Sequence, residues 1–266
     1  MSRSLLAYGL RFAVGTLSVF PVRVERVDRE VAGRAMALAP AVGLVLGPVA
    51  GLPVLLPAPA LLGAGLALGL LAVLTRGLHL DGLADLADGL GSGKPADQAL
   101  EIMKKSDIGP FGVMALVFTL VIEVVALADA GFAALVTACV AGRLALTWAC
   151  RPSVPAARPD GLGAMVAGTV RPSAPWLATL AALLTTTALG LLTIPAAVPP
   201  LSAGLGADPG FVAAVVPPLG LLAGLGAALL VLAHARRRLG GITGDVLGAL
   251  VETATATALV VCALLA

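Results

Sequence analysis

Long apolar stretches dominate the sequence and leave few alternatives for its fold. Seven of them are long enough to form membrane-spanning helices. They cover residues 35–56, 59–75, 112–128, 132–150, 176–194, 211–233 and 246–266. Hydrophobic residues make up 59% of the 266 residues, more than a water-soluble fold of this length can bury. The sequence therefore predicts an all-α, polytopic helical membrane protein, with residues 1–266 forming a single integral membrane domain.

The N-terminal region, residues 1–20, is also apolar but differs from the seven stretches. Arg11 interrupts it, and no small-residue cleavage site follows, so a signal peptide is not favoured. We expect an N-terminal helix that lies at the membrane interface, in preference to an additional complete span.

The basic residues divide cleanly between the two sides of the predicted membrane. If each stretch crosses once, one side holds residues 1–34, 76–111, 151–175 and 234–245, with 16 of the 17 Lys and Arg residues. Arg143, inside a predicted span, is the exception. The positive-inside rule makes this side cytoplasmic, and the split supports seven spans. The opposite side includes residues 195–210.

The first acidic motif follows the second predicted span. Asp81, Asp85 and Asp88 are spaced at i, i+4 and i+7 and would share one face of a helix. Like charges at this spacing destabilise a helix, so a divalent cation that neutralises them is expected. Carboxylate oxygens suit a hard ion such as Mg²⁺. A solvated acidic face is the alternative. Gly82 and Gly89 would let a substrate approach the backbone.

The second acidic motif lies at the start of the last predicted span. Asp245 and Glu252 are again seven residues apart, and Glu252 is an ionisable residue within an apolar stretch, which favours a functional role. Asp245 could instead cap the helix. Because both motifs are predicted on the same side, they are expected to converge and bind metal ions and a transferring phosphoryl group.

Several other polar residues are candidates for the same site. Lys104 and Arg158 are suitable phosphate partners, as is the basic run at 236–238, for which a role as a membrane anchor is equally open. His79 could donate a hydrogen bond to substrate or lie at the interface. Glu123 and Arg143 are interpreted as a structural ion pair between adjacent spans.

Three segments together resemble a known family. They are GLHLDGLADLADG at 77–89, LEIMKKSDIGPFG at 100–112 and LGGITGDVLGA at 239–249. The chain resembles the adenosylcobinamide-GDP ribazoletransferase, or cobalamin-5′-phosphate synthase, family over nearly its whole length. The resemblance implies an Mg²⁺-dependent enzyme of the bacterial inner membrane that joins adenosylcobinamide-GDP to α-ribazole or its 5′-phosphate and releases GMP.

The resemblance and the residues together define the expected site. Asp81, Asp85, Asp88 and Asp245 would bind Mg²⁺, and Asp88 is favoured as the catalytic base, with Asp85, Asp245 and Glu252 as alternatives. The substrate-binding residues would be His79, Gly82, Gly89, Lys104, Arg158, Gly244 and Glu252. The expected partners are the two small-molecule substrates and the lipid bilayer, with no nucleic acid, and self-association is left open. A CDP-alcohol-type phosphotransferase and a small-solute transporter are the alternative functions.

Overall fold

The computed structural model describes residues 3–193 and 208–265, and these parts of the chain are helical with short connections. The first five helices are α1 (Arg3–Leu17), α2 (Arg29–Gly51), α3 (Ala60–Leu74), α4 (Leu78–Gly91) and α5 (Ala96–Ile102). They are followed by α6 (Pro110–Ala149), α7 (Gly161–Val166), α8 (Ala174–Leu192), α9 (Pro209–Leu239) and α10 (Gly244–Leu265). No strand forms within the described residues, in agreement with the all-α prediction. Most of the predicted outer segment 195–210 lies outside them.

Helix α6 is interrupted at Gly131, where φ is 74° and ψ is −167°. This left-handed conformation costs a glycine little, because it has no Cβ. Gly112 contacts the first acidic motif, and Leu146 lines a cavity together with Asp245. Since both ends of α6 are thus at the same end of the bundle, the chain reverses direction at Gly131.

The number of membrane spans is best described as a range. Five helical segments of the described chain are long and apolar enough to cross a membrane, and a sixth is formed if α3 and α4 count as one broken span. α6 counts once although it contains two of the predicted spans, and α3 has only 15 residues. The polytopic helical class is confirmed, whereas the number seven stays a prediction.

Small residues bring the central helices into close contact. A Cβ at Gly43 of α2 would collide with the backbone of Cys139 in α6, and one at Gly142 would meet Val251 in α10. Gly224 of α9 lies equally close to Ala254 of α10. Such contacts let helix backbones pack tightly where no hydrophobic driving force acts between them. α10 is therefore surrounded by protein and holds its charged start in a fixed place.

The segments that carry the basic residues meet at one end of this bundle. Arg29, at the start of α2, donates to the carbonyl oxygens of Ala164 and Ala167, at 2.5 and 2.7 Å. Arg238, at the end of α9, donates to the carbonyl of Lys94 at 3.3 Å. α1, with 15 residues, packs its Phe12 side against α2. The four predicted basic segments thus form one surface.

Candidate functional site

A sharp turn between α3 and α4 positions the first acidic motif. Arg76 and Gly77 both adopt left-handed backbone conformations, with φ of 57° and 66°, and α4 leaves α3 at an angle of 89°. α4 then packs against the start of α10. Its Gly82 lies so close to the backbone of Asp245 that a Cβ would collide with it. The turn and this contact bring the two acidic motifs together, as the sequence predicts.

The start of α10 is held by a capping residue and a backbone bridge. Thr243 Oγ1 accepts a hydrogen bond from the Val246 N–H at 3.1 Å and donates one to Asp245 Oδ2 at 3.2 Å. Thr243 is therefore the helix cap, which leaves Asp245 available for other partners. Just before it, Ile242 exchanges backbone hydrogen bonds with the segment 155–157, both at 2.9 Å.

This bridge places Arg158 beside Asp245. The guanidinium Nη1 lies 3.4 Å from Asp245 Oδ2, and Nη2 donates to the Leu100 carbonyl at 2.6 Å. The Nε atom is buried and has no hydrogen-bond partner. Arg158 thus connects α5, the 155–160 segment and α10, and it holds a positive charge next to the second acidic motif.

A cavity of about 380 Å³ opens at this junction, and we call it the catalytic cavity. It is lined by six of the residues predicted for the site: His79, Asp81, Lys104, Arg158, Gly244 and Asp245. Its remaining wall includes the apolar side chains of Met36, Leu146 and Leu247. A cavity with charged groups on one side and an apolar wall on the other can bind a ligand with both characters.

Asp85 lies one turn beyond Asp81 and is half-buried, outside the lining of the cavity. Burial raises the pKa of Asp85 to about 6, and repulsion by the carboxylates of Asp81, Asp245 and Asp88 adds to this. Arg158 acts in the opposite direction. Asp81 and Asp245 line the same cavity, so the acidic residues of the two motifs are close enough to interact.

Asp88 has a structural role that its spacing does not reveal. Its Oδ2 accepts the N–H of Gly109 at 2.7 Å, and its Oδ1 accepts the N–H of Gly112 at 2.9 Å. Gly109 precedes the first residue of α6, so Asp88 caps that helix from 21 residues away. Its side chain is only 8% exposed and does not line the catalytic cavity.

The two glycines of the first motif are also placed at helix contacts. A Cβ at Gly82 would meet α10, and one at Gly89 would meet the side chain of Met103. Neither glycine lines the catalytic cavity. The structure therefore gives Gly82 and Gly89 a packing role in place of the expected approach of substrate to the backbone.

A second polar cluster lies deeper in the bundle. Glu252, Glu123 and Arg143 are at most 9% exposed, and Glu252 interacts electrostatically with both of the others. No ion pair joins Glu123 to Arg143 in the described chain, which corrects the pairing expected from the sequence. His79 lines the cavity and also interacts electrostatically with Arg143 of this cluster, and its Nε2 is buried without a partner among the described residues. Glu252 does not reach the cavity lining.

The carboxylates at the cavity fit a divalent cation in charge and chemistry. Asp81, Asp85 and Asp245 repel one another, and a hard cation would offset that repulsion. Within the described residues no three His, Cys, Asp or Glu side chains are grouped as a complete metal site. Mg²⁺ is commonly bound by one or two carboxylates together with substrate phosphates. These carboxylates therefore suit an ion that binds together with the substrate. Asp88 fits least, because both of its oxygens already accept hydrogen bonds.

Sequence reasoning missed two polar residues at the site. Thr243 orients Asp245, and Asp160 lines the cavity near Gly161. A threonine two residues before an acidic helix start is a recognisable capping signal and could have identified Thr243. Nothing in the sequence places Asp160 at the cavity, because that depends on the bridge to Ile242.

Comparisons with known proteins identify a family for this chain. Residues 9–263 match the family model described as cobalamin-5-phosphate synthase. A curated relative from Frankia casuarinae, named adenosylcobinamide-GDP ribazoletransferase, is 44% identical, with 94% of this chain and 92% of the relative covered. Relatives of the same name from Nocardioides sp. and Klebsiella pneumoniae are 40% and 37% identical. Their alignments cover 94% and 87% of this chain, and 95% and 89% of the relatives.

No solved structure matches this chain. The family assignment therefore rests on sequence similarity over almost the whole length, together with the acidic motifs that the structure brings to one cavity. The chain belongs to the cobalamin-5-phosphate synthase family.

Proposed function

We propose that this protein is an adenosylcobinamide-GDP ribazoletransferase, which transfers the cobinamide phosphoryl group to α-ribazole or its 5′-phosphate and releases GMP. The observation that carries the proposal is the catalytic cavity, where two acidic motifs meet Lys104 and Arg158 at one end of a membrane bundle. The relatives' names and the family match support the same reaction. They give no support to the alternative phosphotransferase or transporter.

The residues of the cavity suit each part of this reaction. The ribazole hydroxyl oxygen forms a bond to the phosphorus attached to cobinamide, and the bond from that phosphorus to the bridging oxygen breaks. GMP leaves with the electron pair. Lys104 and Arg158 bind the phosphate oxygens and stabilise the charge that develops on them. The apolar wall excludes water from the reacting atoms.

The hydroxyl proton passes to a carboxylate of the acidic group. Asp85 lies one turn beyond Asp81 and outside the cavity lining, so it would take the proton through a water molecule. Its pKa, about 6, is close to neutral pH, where a base is most effective. Asp88, the candidate favoured from the sequence, has both oxygens engaged by backbone N–H groups. We therefore assign the base to Asp85 and a positioning role to Asp88.

Mg²⁺ is part of the proposal. Asp81 and Asp245, which line the cavity, would hold it together with the pyrophosphate oxygens. The ion would neutralise negative charge on the transferring phosphoryl group. Asp245 would exchange part of its contact with Arg158 for this ion.

The catalytic cavity is proposed to face the cytoplasm, with the protein in the cytoplasmic membrane. The basic surface at that end of the bundle supports this orientation through the positive-inside rule. Single cysteines at Ser92 and Ser202, in a chain with its native cysteines replaced, test it. A membrane-impermeant reagent is expected to label position 202 in intact cells and position 92 only after lysis. The reverse pattern contradicts the orientation.

The activity is tested with purified protein in detergent, supplied with adenosylcobinamide-GDP, α-ribazole 5′-phosphate and Mg²⁺. GMP release without any membrane gradient is expected, together with the coupled cobalamin product. Asp81→Asn is the matched inactive control, because it changes an exposed residue of the cavity without altering the fold. A protein that releases no GMP under these conditions, or equal amounts with and without the ribazole, is not this transferase.

A further inference from the structure

A second cavity adjoins the catalytic cavity and has no role in the function described so far. It has a volume of about 570 Å³, within the range of about 300–1,000 Å³ that is typical of small-molecule sites. One wall is the exposed side of α5 and the turn that follows it, and the other is the segment 157–159. We call this cavity the α5 groove.

The two cavities share part of their walls. Lys104 and Arg158 line both of them, whereas Lys94 and Asp97 line the α5 groove alone. A ligand that extends through both cavities would therefore have its central part beside Lys104 and Arg158. In the proposed transfer, ribazole and GMP lie on opposite sides of the reacting phosphorus, so the phosphates would lie at this junction.

The charge of the α5 groove suits a nucleotide. Lys94, Lys104, Lys105 and Arg158 line it against the two carboxylates of Asp97 and Glu101, which leaves a formal surplus of two positive charges. Lys104 and Glu101 form an ion pair at 3.1 Å, but both side chains are about half exposed or more. Such exposed pairs contribute little, so Lys104 can turn to a phosphate at small cost.

Asp97 lines the α5 groove but not the catalytic cavity, and its carboxylate is an acceptor for a base. Asp97 is exposed and forms no ion pair with the described residues. The N1–H and 2-amino groups of guanine are adjacent donors, and one carboxylate can accept from both. Adenine presents an acceptor at N1 and would be repelled. Asp97 therefore favours guanine over adenine.

We propose that the α5 groove binds the guanosine monophosphate half of adenosylcobinamide-GDP, with its phosphate at Lys104, Lys105 and Arg158 and its base at Asp97. This inference rests on the proposed function, because it assigns a place to the leaving group of that reaction. The ribazole then occupies the catalytic cavity, and the larger cobinamide part stays outside both cavities.

The test uses the full-length protein in detergent and measures GMP and AMP binding by equilibrium dialysis. GMP is expected to bind at least about tenfold more tightly than AMP, and Asp97→Asn is expected to abolish most of that preference. Lys105→Ala is expected to weaken GMP binding about tenfold and to raise the KM for adenosylcobinamide-GDP, with the KM for ribazole unchanged.

Arg171→Ala is the matched control, because it removes an exposed positive charge near the same surface without lining either cavity. If GMP and AMP bind equally, or if both groove variants behave like Arg171→Ala, the inference is overturned. If the wild-type protein still transfers ribazole in that case, the proposed function stands. Conversely, variant-sensitive GMP binding by a protein without transfer activity supports the groove and contradicts the proposed function.

Discussion

Replacing Asp88 tests whether this residue stabilises the fold by capping α6 or takes part in the reaction. In Asp88→Asn, one carboxylate oxygen becomes an amide nitrogen, which cannot accept from the backbone N–H of Gly109 or Gly112. Each hydrogen bond to a charged group contributes about 1.5–3 kcal/mol, so losing one and weakening the other costs about 2–4 kcal/mol of the free energy of unfolding. The favourable interaction of the negative charge with the start of α6 is also lost. Thermal unfolding in detergent micelles measures the change.

A glycine variant tests the contact between Asp88 and the start of α6 independently. A Cβ at Gly109 or Gly112 would occupy the space of the Asp88 carboxylate, so Gly112→Ala should also lower the unfolding temperature. Asp81→Asn, on the same helix but exposed, is the control and should leave that temperature unchanged while removing activity. If Asp88→Asn unfolds like the wild type but has lost Mg²⁺-dependent turnover, Asp88 is a metal or catalytic residue and the capping argument is wrong.

Three further predictions concern the acidic site and the buried cluster. Asp81→Asn and Asp85→Asn should each reduce turnover at least ~10²-fold at saturating Mg²⁺ in steady-state assays, on the scale of one lost electrostatic contact to the transition state. The Mg²⁺ concentration for half-maximal activity should rise as the pH falls through about 6, because protonation of Asp85 removes a negative charge beside Asp81 and Asp245 that attracts the cation. An unchanged value between pH 7.5 and 5.5 contradicts this. Arg143→Leu should destabilise the protein in equilibrium unfolding by less than the about 3–5 kcal/mol of a broken buried ion pair, because Glu252 interacts with Arg143 electrostatically without forming a direct pair, and the double variant with Glu252→Leu should recover part of that loss.

The sequence was sufficient to predict the convergence of the two acidic motifs. Counting spans and basic residues placed Asp81 and Asp245 on the same side, and the structure places both in the lining of one cavity. Lys104 and Arg158 were found by charge and position. These predictions succeed because hydrophobicity and charge determine which helix ends lie together, whatever the details of packing.

Contacts that depend on helix rotation and on distant segments were not predictable. The spacing of Asp88 puts it on the same face as Asp81 and Asp85, yet its partners are backbone groups more than 20 residues away. Whether Glu123 lies next to Glu252 depends on how α6 is rotated relative to α10. Neither periodicity nor composition fixes these angles, since the small residues of the helices allow several close packings.

The reversal at Gly131 affects how the chain enters the bilayer during synthesis. Arg143 in the second half of α6 and Glu123 in the first would each cost about 2.5–3.5 kcal/mol if exposed to lipid at the centre of a separate helix. With only a glycine turn between them, the halves can leave the translocon as a helical hairpin whose polar side chains face inward. Completion then waits for α10, because Glu252, which interacts electrostatically with Arg143, is translated more than 100 residues after it. We therefore expect the two halves of α6 to stay incompletely packed until the last helix has been translated.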